Sequence, residues 1–278
     1  MYLTSTGGSS PFGLGQPASK RYRPPYDKGG IPIGEGDAQN ILTILAGPSP
    51  YQAYIAHNMA TKGAAPPKKF LRIVTNVGTQ VPKPLQHLFT SGGGTRVAGT
   101  IDRSMRMIYM IELPGLRDAT RLEYALHEGV HLYADPVVPT TSCPRVCVGT
   151  FQRTYGTGFG EGATQAIAEA IMDAQGIARY YRDRPYEIFT RPMRKVIEKF
   201  STDVFARAYF FGATAAFTTA MTARWGKDWM QVVGYTNAKQ PDKAIAEIDK
   251  LDKSFGKRLL QGGPKGDFPT PPRYSNVA

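Results

Sequence analysis

The sequence predicts an α+β fold, in which a sheet-forming half precedes a helix that carries the chemistry and a mainly helical half follows it. Three observations carry that reading. Segments rich in β-branched and aromatic residues fall between Phe70 and Leu113. A segment of helical periodicity then holds His127-Glu128-Gly129-Val130-His131. From Tyr186 to about Phe255 the pattern is almost wholly helical.

Taken in order, residues 1–35 are dense in Gly, Pro and Ser, with Pro24-Pro25 and Gly29-Gly30, and read as a linker or irregular arm. One domain is expected over 36–262, its sheet-containing half reaching about residue 135, and a Pro/Gly-rich tail over 263–278. Asp37 can cap a short helix through Ala46, and a second runs from Pro50 to about Thr61. Phe70–Thr75 reads as a strand. Gly92–Gly94 breaks the chain before strands Arg96–Ile101 and Met105–Leu113. Pro114-Gly115 ends the last of these, and the motif helix is expected from Arg117 to Ala134. Asp135 to Gly158 reads as loop, and a second helix runs from Gly160 to about Gln175. The uncharged stretch Ala208–Ala223 is too short for a comfortable membrane span and reads as one buried helix.

A hydrophobic content of 41% excludes a disordered chain. Lys+Arg number 34 against 22 Asp+Glu, a formal charge of +12 that favours acidic partners. The basic residues are scattered, with short clusters at Lys20–Arg23, Lys68-Lys69 and Arg179–Arg184, so a solvated basic surface is preferred to a nucleic-acid interface. Met1–Gly15 lacks a positive start followed by an apolar core. The expectation is a soluble protein without a signal peptide or membrane span, cytoplasmic or exported by a non-classical route. Cys143 and Cys147 have no second pair to complete a zinc site, and a local disulfide and two free thiols both stay open.

The pattern H-E-x-x-H names a chemistry. On a helix, residues i and i+4 share a face, so His127 and His131 can close on one Zn²⁺, with Glu128 beside it as general base. The chain has only 4 histidines, and two of them stand here. At 100° per residue, Leu122, Leu126, Gly129 and Tyr133 form one stripe, and the two histidines point roughly 150° away from it. A catalytic zinc takes three protein ligands and keeps a position for water. No histidine follows His131, so the third ligand is a carboxylate or one of the upstream His57 and His87. Glu161 is the best placed, at the start of the next helical segment, between glycines that let the backbone approach the first helix. Glu169 and Asp135 are its rivals. Asp135, at i+4 from His131, is better suited to orienting that imidazole.

His127-Glu128-x-x-His131, followed after a loop by Gly160-Glu161-Gly162-x-Thr164, resembles the gluzincin branch of the zincin metallopeptidases. The resemblance covers about 70 residues, Met105 to Gln175, and departs from the commonest form, which has Asn where this chain has Gly160. It implies a small twisted sheet before the motif helix, with an edge strand lining the cleft that Met105–Leu113 matches by position. It also implies a Glu from a second helix completing the zinc site, and a downstream Tyr that stabilises the oxyanion. Tyr209, in Tyr209-Phe-Phe-Gly212, is the candidate, with Tyr180 and Tyr133 behind it.

The expected activity is zinc-dependent hydrolysis of a peptide bond in a protein or peptide substrate, with Glu128 assisting attack by a zinc-bound water. The basic chain with its loose arm is also similar in organisation to metallopeptidase effector domains of bacterial toxin systems, which would make a delivery assembly a partner. Two other functions compete. One is a hydrolase of wall peptides, drawn to an anionic polymer by charge. The other is a non-enzymatic module with structural zinc that binds nucleic acid or an acidic partner.

Overall fold

Alanine and lysine are frequent in the second half of the chain, and there the described backbone is helical almost throughout. The computed structural model describes residues 35–61, 71–74, 99–102, 107–111, 118–134, 138–139, 147–177 and 186–261. The arm up to residue 34, the tail 263–278, the Gly92–Gly94 break, His87, Asp135, Cys143 and Tyr180 lie outside them. So does the arm-based likeness to effector modules.

Two helices, α1 (Glu35–Ala46) and α2 (Gln52–Thr61), open the fold close to the expected bounds, except that Asp37 lies inside α1 and does not cap it. Strands β1 (Leu71–Val74), β2 (Gly99–Asp102) and β3 (Met107–Ile111) follow, and then the motif helix α3 (Asp118–Tyr133). A two-residue pair, β4 (Val138–Pro139) with β5 (Cys147–Val148), precedes α4 (Thr150–Tyr155) and α5 (Thr157–Ala174). The remainder is α6 (Glu187–Glu198), α7 (Thr202–Phe211), α8 (Thr214–Trp225), a 3₁₀ turn at Gly226–Asp228, α9 (Trp229–Asn237) and α10 (Pro241–Leu260).

The expectation of an α+β fold with a twisted sheet is corrected: the protein is mainly helical. Among the described residues, β-structure ahead of the motif helix is confined to three strands of four or five residues, β1 parallel and β2 antiparallel to β3. Strands this short do not make a layer that carries a core. Residue composition between 70 and 113 reports a local preference for extended backbone, and sheet size is set by tertiary pairing. In the order β1-β3-β2 the strand within Met105–Leu113 is central, so the predicted edge strand is not an edge.

Two further expectations change. The segment 135–158 is not all loop, because it contains β4, β5 and α4. The single helix over Ala208–Ala223 is broken at Gly212, whose φ of 70° ends α7, and the backbone N–H of Ala213 turns back to the carbonyl of Arg207.

The core is built by helix packing. In α3, Leu122, Leu126 and Val130 are buried one turn apart, and His127 and Glu128 are buried on the other side of the same helix. The helix therefore does not divide into an apolar and a wet face; both sides are covered. Phe151, Phe159, Phe205 and Phe217 meet where α4, α5, α7 and α8 converge, with Phe151 edge-on to Phe205 at 5.7 Å between ring centroids. Among the described residues, no helix is long and apolar enough to cross a membrane.

Candidate metal centre

His127 and His131 stand on consecutive turns of α3, their ring centroids 4.8 Å apart. Glu161 comes from the second turn of α5. Its Oε2 lies 3.0 Å from His127 Nε2 and 3.4 Å from His131 Nε2. One ligand atom from each of the three residues fits within 4.8 Å of the others. The other oxygen of Glu161 accepts a hydrogen bond of 3.3 Å from Gln152 Nε2 on α4. The His127 side chain is enclosed, 1% exposed, whereas those of His131 and Glu161 are 12% and 20% exposed, so the group opens to one side.

Glycines make this convergence possible, though against other neighbours than the sequence suggests. A Cβ on Gly160 would lie 2.7 Å from the Cβ of Gln152, so glycine here lets α4 deliver Gln152 to Glu161. A Cβ on Gly162 would lie 2.5 Å from the backbone oxygen of Phe189 on α6. The glycines flanking Glu161 thus admit α4 and α6 rather than α3.

Hydrogen bonds behind the histidines hold the Nδ1 edge of each ring. Gln165 Nε2 donates to Glu123 Oε1 at 2.5 Å and Glu169 Oε1 at 3.3 Å. With its NH₂ turned to the two carboxylates, the amide oxygen faces the other way, 3.0 Å from His127 Nδ1. Nδ1 of His127 therefore carries the proton. Thr164 gives its one hydroxyl proton to the carbonyl of Gly160 at 2.9 Å. The same Oγ1 lies 2.6 Å from Tyr209 Oη and 3.3 Å from His131 Nδ1. Both rings turn Nε2 towards the carboxylate of Glu161. Two imidazole nitrogens and a carboxylate oxygen thus converge on one point, where a cation or shared protons can be held.

Ionisation follows the same logic. Burial opposes charge on His127, but the hydrogen bond and charge of Glu161, with the charge of Glu128, outweigh it and raise the imidazole pKa. Burial would raise Glu161, yet the two imidazoles hold its carboxyl well below the usual range. Two imidazole nitrogens and one carboxylate oxygen form a donor set suited to zinc.

Glu128 is buried and close enough for its charge to act on both His127 and Tyr186. Tyr186, just ahead of α6, stacks on the His127 ring at 4.3 Å and 19°. Burial raises its hydroxyl pKa well above the ordinary value, and the charges of Glu161 and Glu128 add to the shift, so the hydroxyl stays a donor.

The other candidates fall elsewhere. Tyr209 is buried behind His131 and reaches it only through Thr164. Glu169 meets Gln165 and Arg194 instead of the ligand group. His57 is exposed on α2 with its ring against Phe211 at 5.1 Å. Tyr133 is buried in the core, and its carbonyl accepts from Asn58 Nδ2 at 2.7 Å. Sequence reasoning missed Gln152, Thr164, Gln165 and Tyr186. For Thr164 and Gln165 a signal existed, since they stand at i+3 and i+4 from Glu161 and share its helical face. For Gln152 and Tyr186 there was none.

Comparison of the chain with protein-family models, with curated proteins and with solved structures finds no match.

Proposed function

We propose that this chain is a zinc-dependent peptidase whose centre is His127, His131 and Glu161. One observation carries the reading: two histidines on consecutive turns direct their Nε2 atoms at one carboxylate oxygen, 3.0 and 3.4 Å away. A cation of zinc's chemistry satisfies all three acceptors, and when bound it supplies a Lewis acid that polarises a carbonyl and lowers the pKa of water to about 7.

This chain's own residues supply the rest. Glu128 takes the proton of the attacking water and passes it to the leaving nitrogen. Gln152 holds the outer oxygen of Glu161 and keeps the carboxylate turned to the histidines. Tyr186, rather than Tyr209, is the hydroxyl suited to donate to the carbonyl oxygen as it gains charge, because burial keeps it protonated beside Glu128 and Glu161. The one-sided exposure of His131 and Glu161 leaves a route for substrate, which a closed structural site would lack.

The experiment is metal analysis of the purified protein together with hydrolysis of a mixed peptide library, with and without a chelator. The expected result is one zinc per chain and chelator-sensitive cleavage. Bound zinc with no cleavage of any peptide would replace the peptidase with a metal-stabilised binding module.

A further inference from the structure

A line of buried polar groups runs away from the centre and ends on α6. Gln165 touches His127 at one end and two carboxylates at the other, Glu123 of α3 and Glu169 of α5. Glu169 is met by Arg194, whose Nε lies 2.8 Å from Oε2 and whose Nη2 lies 2.7 Å from the same oxygen. Arg194 also forks onto Glu187, with both of its terminal nitrogens 3.0 Å from the carboxylate oxygens. Glu123 and Glu169 are almost fully buried. Two such carboxylates around one amide are costly to assemble, and packing alone would be served as well by apolar groups.

We infer that Glu123 and Glu169, with Arg194 holding Glu169, are positioning residues that lock the Gln165 amide in one orientation and so fix His127 as the Nδ1–H tautomer. An amide has two nearly isosteric orientations. Turned over, Gln165 would set its oxygen against both carboxylates and its NH₂ against His127 Nδ1. That nitrogen would then have to accept, the ring proton would move to Nε2, and the atom facing Glu161 would no longer offer a lone pair. The carboxylates forbid the turned orientation by repulsion between acceptors. Arg194 holds Glu169 in place through two nitrogens on one carboxylate oxygen, at 2.8 and 2.7 Å. The consequence for metal affinity rests on the zinc reading above, whereas the tautomer itself does not.

The test is the double variant Glu123→Gln, Glu169→Gln, which keeps side-chain shape and lets each position donate or accept. In the zinc-free protein at alkaline pH, long-range ¹H–¹⁵N spectra of labelled histidine report the tautomer of His127 directly. The wild-type protein is expected to show Nδ1–H, and the double variant a mixture. Zinc affinity, measured by competition with a chromogenic chelator, should fall by about 10- to 100-fold in the variant. Arg194→Leu, at the outer end of the line, is expected to weaken zinc in the same direction, and circular dichroism confirms that each variant is folded. An unchanged His127 tautomer in the folded double variant would overturn the inference and leave the metal reading standing. A wild-type protein that takes up no zinc would overturn the metal reading, and the spectra would still decide the inference.

Discussion

The ring of Tyr186 lies flat on the imidazole of His127, at 4.3 Å and an interplanar angle of 19°. One face of the first histidine of the motif is thereby covered by a residue 59 positions downstream, and its Nδ1 edge is held by Gln165. Helix α6 follows Tyr186 and also carries Arg194, so one helix braces His127 by a stack and by a hydrogen-bonded line. Tyr186→Phe retains the ring and removes the hydroxyl. It is expected to bind zinc as the wild-type protein does and to lose roughly 10²- to 10³-fold in kcat, with KM little changed. Steady-state kinetics beside metal analysis checks this.

Tyr209→Phe provides the contrast. Its hydroxyl shares a buried hydrogen bond of 2.6 Å with the hydroxyl of Thr164 behind His131, and that bond is lost in the variant. A stability loss of about 1 kcal/mol is expected in urea unfolding, with a smaller effect on kcat than Tyr186→Phe. A larger kcat loss for Tyr209→Phe would return the oxyanion role to Tyr209.

Glu128 and Glu161 separate chemistry from ligation. Glu128→Gln should retain zinc and lose hydrolysis by about 10²-fold or more, since only the proton acceptor is removed. Glu161→Ala and His127→Ala should lose both. Equal turnover by Glu128→Gln on any substrate would remove Glu128 from the mechanism.

Gly162 tests the approach of α5 to α6. In Gly162→Ala the new Cβ would lie 2.5 Å from the carbonyl oxygen of Phe189 and 2.9 Å from its carbon, both backbone atoms that cannot swing aside. A destabilisation of about 1–3 kcal/mol is expected in thermal or urea unfolding. Because Tyr186 leads into α6, zinc affinity should weaken too. A fully stable alanine variant would contradict the close helix approach.

Far from the centre, Asp252 gives a pH dependence. Burial would raise its carboxyl, but hydrogen bonds from Trp225, Lys199 and Arg224 outweigh this and hold its pKa below the ordinary 3.8. A depressed folded-state pKa means that the stabilisation is complete above the unfolded value and is lost as pH falls through the folded one. The stability gap between wild type and Asp252→Asn should therefore be widest near neutrality and shrink from about pH 5 downwards. Unfolding curves for both proteins between pH 7 and pH 3 report it.

The motif helix was legible because its signal is local. Pro114-Gly115 precedes it, i/i+4 spacing places His127 and His131 on one side, and its observed span Asp118–Tyr133 lies one residue inside each expected end. Helices α1, α2 and α5 were legible for similar reasons, as was Glu161 as the partner of the histidines. The sheet layer was misjudged because strand propensity does not report how many strands pair or how far. The break at Gly212 was missed because a glycine in an apolar run reads equally as helix interior or helix end until φ is known.

By itself the sequence determined which side chains were available for the chemistry and which two shared a helical face, since both follow from covalent order and a period of 3.6 residues. Only the tertiary structure decided which atoms meet. Gln152, Thr164, Gln165 and Tyr186 act across α4, α5 and the approach to α6, and such contacts depend on helix crossings that no local periodicity encodes. The partners of the two Nδ1 atoms, Gln165 for His127 and Thr164 for His131, follow from the same crossings.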